Sequence, residues 1–226
     1  MQMKKVSWNY SLNNVPEGHI KFKMEEGYIK FKARWDKSPA LPLRFFKELN
    51  RWRDELYQIN LIGVYDNGIG FGNISQRFDD TSQFIISGSG TGNLESLKPD
   101  HYSLVTDIDI DKNLLHCKGP VIASSESMSH GVIYGESNDI HGVIHVHHKA
   151  LWLKLLDKVP TTGEHAAYGT PEMAYEIMRL FRESDLMEKK ILVMKGHEEG
   201  IFTFGKSLED AGRIILEYFQ DLNSST

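Results

Sequence analysis

Residues 143–149 read Val-Ile-His-Val-His-His-Lys, so three of the chain's ten histidines fall within four positions. The surrounding residues are those of a buried strand. On a strand, side chains two apart point the same way. His145 and His147 therefore share one face, with Ile144 and Val146 on the other, and His148 points away from the pair. Two imidazoles fixed on one face make half of a zinc-type site. Histidines also stand at strand ends as ordinary polar residues, so the pair alone leaves the question open. His197 supplies a third imidazole just after the apolar run Ile-Leu-Val-Met-Lys-Gly. Glu126 and His130 lie four apart, on one face of a helix expected to begin at Ser124-Ser125. A metal on His145, His147 and His197, with Glu126 beside it, would have three neutral ligands, an open position and a carboxylate. That is the pattern of catalytic zinc. A structural site would be closed by cysteines, and this chain has only Cys117. Imidazole ligands also accept manganese, iron or cobalt.

Three further stretches offer backbone N–H groups or a helix N-terminus to an anion: Gly72-Asn73, Ser89-Gly90 and Ser124-Ser125. Glycine and serine also simply make turns. Three other matches fail on residue chemistry. Gly200 to Ser207 fits the P-loop expression, but its interior is Ile-Phe-Thr-Phe, bulky strand formers where a phosphate cradle needs small residues. Gly-Ile-Gly-Phe-Gly has Asn73 where a dinucleotide loop needs its third glycine. Asp-Ile-Asp-Ile-Asp-Lys-Asn has Lys112 and Lys118 where a calcium loop needs glycine and glutamate.

Mixed elements must hold these residues. Residues 19–35 alternate around Glu25-Glu26-Gly27 and predict a β-hairpin, with Ile29, Phe31, Ala33 and Trp35 on one face of its second strand and lysines and an arginine on the other. The basic face is read as solvated surface rather than a nucleic-acid site. A boundary is placed at residue 38, which gives a hairpin extension over 1–38 and a main domain over 39–226. Phe45, Leu49, Trp52 and Leu56 form a helical stripe. Residues 104–117 predict a hairpin. Thr170-Pro171 opens a helix facing inward through Met173, Ile177, Leu180 and Phe181, and Ser207 opens a last helix carrying Ala211, Ile214, Ile215 and Phe219. Strands joined by hairpins and mixed with helices predict a layered α/β domain with a mixed or antiparallel sheet. A net charge of −5 points to no nucleic acid or acidic membrane. One cysteine, no signal-peptide run and no apolar run long enough to span a bilayer lead to the expectation of a cytoplasmic protein.

In chain order the motifs are Gly72-Asn73-x-Ser75-x-Arg77, a strand ending Ser-Gly-Ser-Gly, Ser124-Ser125-Glu126 with His130 and Tyr134, the histidine strand, Tyr168-Gly-Thr-Pro-Glu172, His197, and a closing Gly-x-Ser-Leu-Glu-Asp-Ala. Over residues 41–220 this order resembles the class II aldolase/adducin family. The resemblance implies an αβα three-layer sandwich with a central, mostly antiparallel sheet. It implies zinc on His145, His147 and His197, Glu126 as the metal-proximal acid/base, and a phosphate cradle from Gly72, Asn73, Ser89, Gly90, Ser124 and Ser125. It also implies a homotetramer with the site at a subunit interface. The resulting expectation is a zinc-dependent aldolase acting on a small phosphorylated sugar through a metal-stabilised enediolate, with a Glu126 pKa raised by a partly closed pocket. Dehydration (as by methylthioribulose-1-phosphate dehydratases) and epimerisation use the same residues and stay open, as does a non-catalytic scaffold role like that of adducin. Two departures stand out. His197 is separated from Gly200 by Glu198-Glu199 where the family has glycine directly after the histidine, and His165 falls where the family's aldolase has a tyrosine proton donor.

Overall fold

The computed structural model describes residues 29–79 and 81–224. Its elements in chain order are β1 (Lys32–Lys37), α1 (Lys47–Gln58), a two-stranded ribbon of β2 (Gly63–Val64) and β3 (Gly70–Phe71), β4 (Asn73–Arg77), β5 (Phe84–Ser87), β6 (Tyr102–Asp109), β7 (Leu114–Gly119), α2 (Ser127–Glu136), β8 (Gly142–His147), α3 (Lys149–Leu155), α4 (Pro171–Glu183), α5 (Leu186–Lys189), β9 (Ile191–Val193), β10 (Gly200–Gly205) and α6 (Leu208–Asn223). Apart from the ribbon, the strands form one sheet in the order β1-β7-β6-β5-β4-β8-β10-β9. Among the described strands, β1 and β7 pair in parallel and the other neighbouring strands pair antiparallel.

Alternation along the strands divides the core in two. Val143, Phe202, Phe204, Phe84 and Ile86 pack beneath α2 and α4. Ile144, Val146, Ile201, Ile74 and Ile85 face α1, α3 and α6 on the other side. The result is a three-layer αβα sandwich with a mostly antiparallel sheet, as expected. The helices begin on their sequence caps: Thr170 accepts from the Met173 N–H, Ser207 from the Asp210 N–H, and His148 caps α3 by accepting from the Leu151 N–H. Helix α2 starts at Ser127, slightly later than the serine pair suggested, and leaves Glu126 at its N-cap.

Residues 19–28 of the expected hairpin lie outside the described residues. Its second half does not pack as an amphipathic face. Phe31 is buried, but β1 is exposed along its whole length, Ala33 and Trp35 included. It runs beside β7 from Lys32↔Leu114 to Lys37↔Gly119, as the edge of the main sheet. No helix among the described residues is long and apolar enough to cross a membrane.

Candidate metal centre

Strand β8 is an interior strand of the sheet, between β4 and β10. Asn73, His145 and Phe202 stand side by side in one cross-strand row, with His147 and Gly200 adjacent in the next position along that face. Gly200 leaves room for the imidazoles: a Cβ there would sit 3.2 Å from His145 Cε1 and 3.1 Å from the His197 carbonyl oxygen. The turn from Met194 to Gly200 is closed by the His197 N–H donating to the Met194 carbonyl and the Gly200 N–H donating to the His197 carbonyl. That turn swings His197 over the face carrying His145 and His147, and the three imidazoles converge although two come from β8 and one from the β9–β10 turn.

The three histidines and Glu126 are all nearly inaccessible, at 0%, 2%, 5% and 1% exposure. One nitrogen from each ring lies within 4.8 Å of the other two. His145 Nδ1 is 3.2 Å from the Ile201 carbonyl oxygen. A carbonyl only accepts, so Nδ1 carries the proton and Nε2 is left with its lone pair. That Nε2 lies 3.0 Å from His147 Nε2. Two ring nitrogens so close favour a metal ion, or a proton carried by one of them, in the space between them. Burial first, then the His197 and His145 rings, push the His147 pKa well below its ordinary value, which keeps it in the neutral form a metal takes. Glu126 Oε1 is 3.3 Å from His197 Nδ1 without hydrogen-bond geometry, and among the described residues it is a buried oxygen with no hydrogen-bond donor. Its other oxygen accepts from Ser129 Oγ at 3.2 Å. These features fit a divalent cation. The Glu126 pKa differs from expectation. Burial raises it, but the His197 contact and the His145, His197 and His130 rings outweigh burial and bring it to about 2, so the carboxylate is ionised.

His130 shares a helical face with Glu126 but does not join the cluster. Its Nε2–H donates to Asn73 Oδ1 at 2.6 Å, and Nδ1 is 2.7 Å from Ser75 Oγ, which is 2.8 Å from the Tyr134 hydroxyl. Asn73 thus has its amide oxygen turned to His130. The remaining anion candidates are brought near one another. Gly88 bridges Ala123, and the Ser89 N–H donates to the Ile122 carbonyl at 2.9 Å, which sets the Ser-Gly-Ser-Gly loop beside Ser124 and Ser125. That N–H is occupied, so Ser89 has its hydroxyl to offer an anion. Gly90 has φ +73 with open space where a side chain would stand. Gly72, at φ +72, is pressed against Ile62 and the His145 carbonyl oxygen, where only glycine fits.

Several residues here have no site role assigned from the sequence. Tyr168 packs against His197 in a tilted arrangement with ring centroids 4.6 Å apart, and Lys30 Nζ sits 3.2 Å above the Tyr168 ring. Lys30 belongs to the stretch read as plain basic surface. Tyr65, at the end of β2, places its hydroxyl 2.8 Å from His147 Nδ1 and donates to Glu199 Oε2 at 2.8 Å. No spacing rule links residues 65, 147 and 199, so the sequence carries no signal for this contact. His165 is exposed.

A mostly antiparallel αβα sandwich with three imidazoles and a carboxylate under its α2 face defines a class of metal-site enzymes and their non-catalytic relatives. The family model "Class II Aldolase and Adducin N-terminal domain" matches residues 66–220, more than half of the chain, and the protein belongs to that family. Solved structures agree on the fold. An L-fuculose 1-phosphate aldolase superposes with TM-score 0.61 at 20% identity, over 81% of this chain and 84% of that one. A sugar-phosphate aldolase from Thermotoga maritima gives 0.59 at 16%, over 80% and 94%. A putative aldolase/epimerase/decarboxylase from Escherichia coli gives 0.59 at 16%, over 80% and 87%. At these identities the likeness concerns fold alone. No curated protein matches the sequence.

Proposed function

We propose that this protein is a metal-dependent lyase of aldolase type acting on a small phosphorylated sugar. The observation that carries the reading is the convergence of His145, His147 and His197, one nitrogen of each within 4.8 Å of the others, beside the ionised Glu126. A scaffold has no use for three buried imidazoles and a buried carboxylate, each of which costs desolvation. The three histidines would hold zinc, or manganese, iron or cobalt. Such an ion supplies Lewis-acid polarisation of a substrate carbonyl and its neighbouring hydroxyl. Glu126 Oε1, which has no hydrogen-bond donor among the described residues, takes up the proton that must leave the substrate and returns it later. Asn73, Gly72, Ser89, Gly90, Ser124 and Ser125 form the cradle for the phosphate. His130 holds the Asn73 oxygen, so the amide NH2 is turned away from that ring and is available as a donor. Loss of water from the same substrate class is the second reading. It is favoured by exposed His165, at the position where the family's aldolase carries a tyrosine proton donor.

The test is a screen of phosphorylated ketoses with the zinc-loaded protein, with cleavage and dehydration read separately. Glu126→Gln should keep its zinc while turnover of the substrate found falls about 10²- to 10⁴-fold, the usual contribution of a positioned proton-transfer group. Near-wild-type turnover would put the base elsewhere, and a wild-type protein that takes up no divalent metal would overturn the proposal.

A further inference from the structure

The two residues that separate His197 from Gly200 are both glutamates, and they differ in surroundings. Glu198 is exposed and pairs with Lys149 at 2.8 Å. Glu199 turns inward to the Tyr65 hydroxyl, which touches His147. We infer that Glu199, acting through Tyr65, is a positioning residue for His147: it fixes the ring with its proton on Nδ1 and its Nε2 lone pair toward the centre. The geometry stands independently of the metal reading, but its consequence for metal binding rests on that reading.

The argument is one of donors and acceptors. A carboxylate accepts only, so the tyrosine proton points to Glu199 Oε2 at 2.8 Å. The tyrosine oxygen then has lone pairs left for His147, and the contact at 2.8 Å is complete only if His147 Nδ1 donates. The other tautomer has a competing attraction, because a proton on His147 Nε2 would find His145 Nε2 at 3.0 Å. That is a bond between neutral groups. The Tyr65–Glu199 bond has a charged acceptor, and such bonds are roughly twice as strong as neutral ones. The carboxylate therefore decides the tautomer. Outer partners of metal-bound histidines do this generally, and their loss costs about 10- to 100-fold in metal affinity.

The backbone supplies an independent observation. Glu199 has φ +72, in the left-handed region that glycine enters freely and other residues enter only with strain. A glycine there would be cheaper for the turn alone. An outlier kept by a charged residue beside a site points to use of the side chain. Both partners of the relay are held from outside it. The Glu199 carbonyl accepts from the His148 N–H at 3.2 Å. Tyr65 is fixed by its N–H to the Ile69 carbonyl at 2.9 Å and by its ring against Phe71 at 4.5 Å.

The experiment uses full-length protein with 15N-labelled histidine and a chromophoric chelator competing for zinc. In metal-free wild type, His147 should be the Nδ1–H tautomer. In Glu199→Gly the tyrosine proton is free to turn to Nδ1, so His147 should switch to Nε2–H and zinc affinity should fall about 10- to 100-fold. The metal-free melting temperature should not drop, since glycine suits the φ of this position. Tyr65→Phe should lose affinity to a similar extent. Glu199→Gln, whose amide oxygen still accepts from Tyr65 but without the charge, should show a mixture of the two tautomers and a smaller loss of zinc affinity than Glu199→Gly. An unchanged tautomer and wild-type zinc affinity in Glu199→Gly and Tyr65→Phe would overturn the inference. If wild type binds no zinc, the metal-centre reading fails instead, and the tautomer measurement alone decides this inference.

Discussion

His130 is the most deeply constrained titratable group beside the centre. It is fully buried, gives its Nε2–H to Asn73 and takes a hydrogen bond at Nδ1 from the Ser75–Tyr134 pair. Burial first, then the His145 ring, bring its pKa down to about 3, against the opposing pull of Glu126. The unfolded chain binds a proton there near pH 6.5, whereas the folded chain does not until about pH 3. Over that window the unfolded state holds more protons, so stability falls as pH drops through 6.5. At about 1.4 kcal/mol per pH unit, His130 alone should cost the metal-free protein about 2 kcal/mol between pH 7.5 and 5. His147, shifted the same way, adds to the fall. Urea midpoints at the two pH values measure it, and His130→Gln should flatten the dependence by about the His130 share. Equal midpoints for wild type would mean that the ring is not held neutral. Sequence placed Glu126 and His130 on one helical turn, and they are. It could not show that His130 is drawn to the side chains of Asn73 and Ser75 on β4, because those contacts depend on which strand lies beneath the helix. The direction of the Glu126 shift was likewise invisible, being a balance of burial against three imidazoles that only folding assembles.

The glycines show how one residue type serves two purposes in neighbouring elements. Gly63, Gly70 and Gly92 meet where the β2–β3 ribbon lies on the loop after β5. A methyl on Gly92 would collide with the Gly63 carbonyl oxygen and stand 2.6 Å from Gly70 Cα. Backbone cannot yield as a flexible side chain can. Gly92→Ala should therefore cost about 1–3 kcal/mol in urea unfolding. It should also weaken metal binding, since the displaced ribbon carries Tyr65. A variant with wild-type stability would show that the ribbon and loop are free to separate. The same loop is tied to α1 by buried Arg53, which donates to the Thr91, Gly92 and Glu95 carbonyls. In the sequence, a glycine needed for backbone contact looks the same as one needed for an anion, because both require the missing side chain. Elements with a strong period were readable. The stripe of Leu49, Trp52 and Leu56 is buried on α1, the Thr170 and Ser207 caps hold, and Gly200–Gly205 is a strand despite its P-loop spelling. The parallel pairing of β1 with β7 was not readable, since an exposed edge strand carries no alternation that names its partner.

The candidate ligands come from separate parts of the chain, so a bound metal would couple to the fold. His145 and His147 lie on β8, His197 lies in the turn between β9 and β10, and Glu126 caps α2 above them. A chain that has lost its tertiary structure keeps only the His145–His147 pair close together. A divalent ion that binds the folded form alone stabilises it by RT ln(1 + [L]/Kd), about 2.7 kcal/mol at a hundredfold excess over Kd. Zinc should accordingly raise the melting temperature of the metal-free protein, and chelator should return it. His197→Ala should abolish most of this shift, because the remaining histidine pair also binds in the unfolded chain. Inorganic phosphate at millimolar concentration should add a further rise that Ser124→Ala reduces and His197→Ala leaves in place, since the Ser89, Gly90 and Ser124 loops are assembled by the Gly88–Ala123 bridge rather than by the ligand turn. Two independent increments would establish metal and anion as separate occupants of one face. A phosphate shift that vanishes with His197 would mean instead that the anion binds through the metal, and that the serine loops serve only the fold.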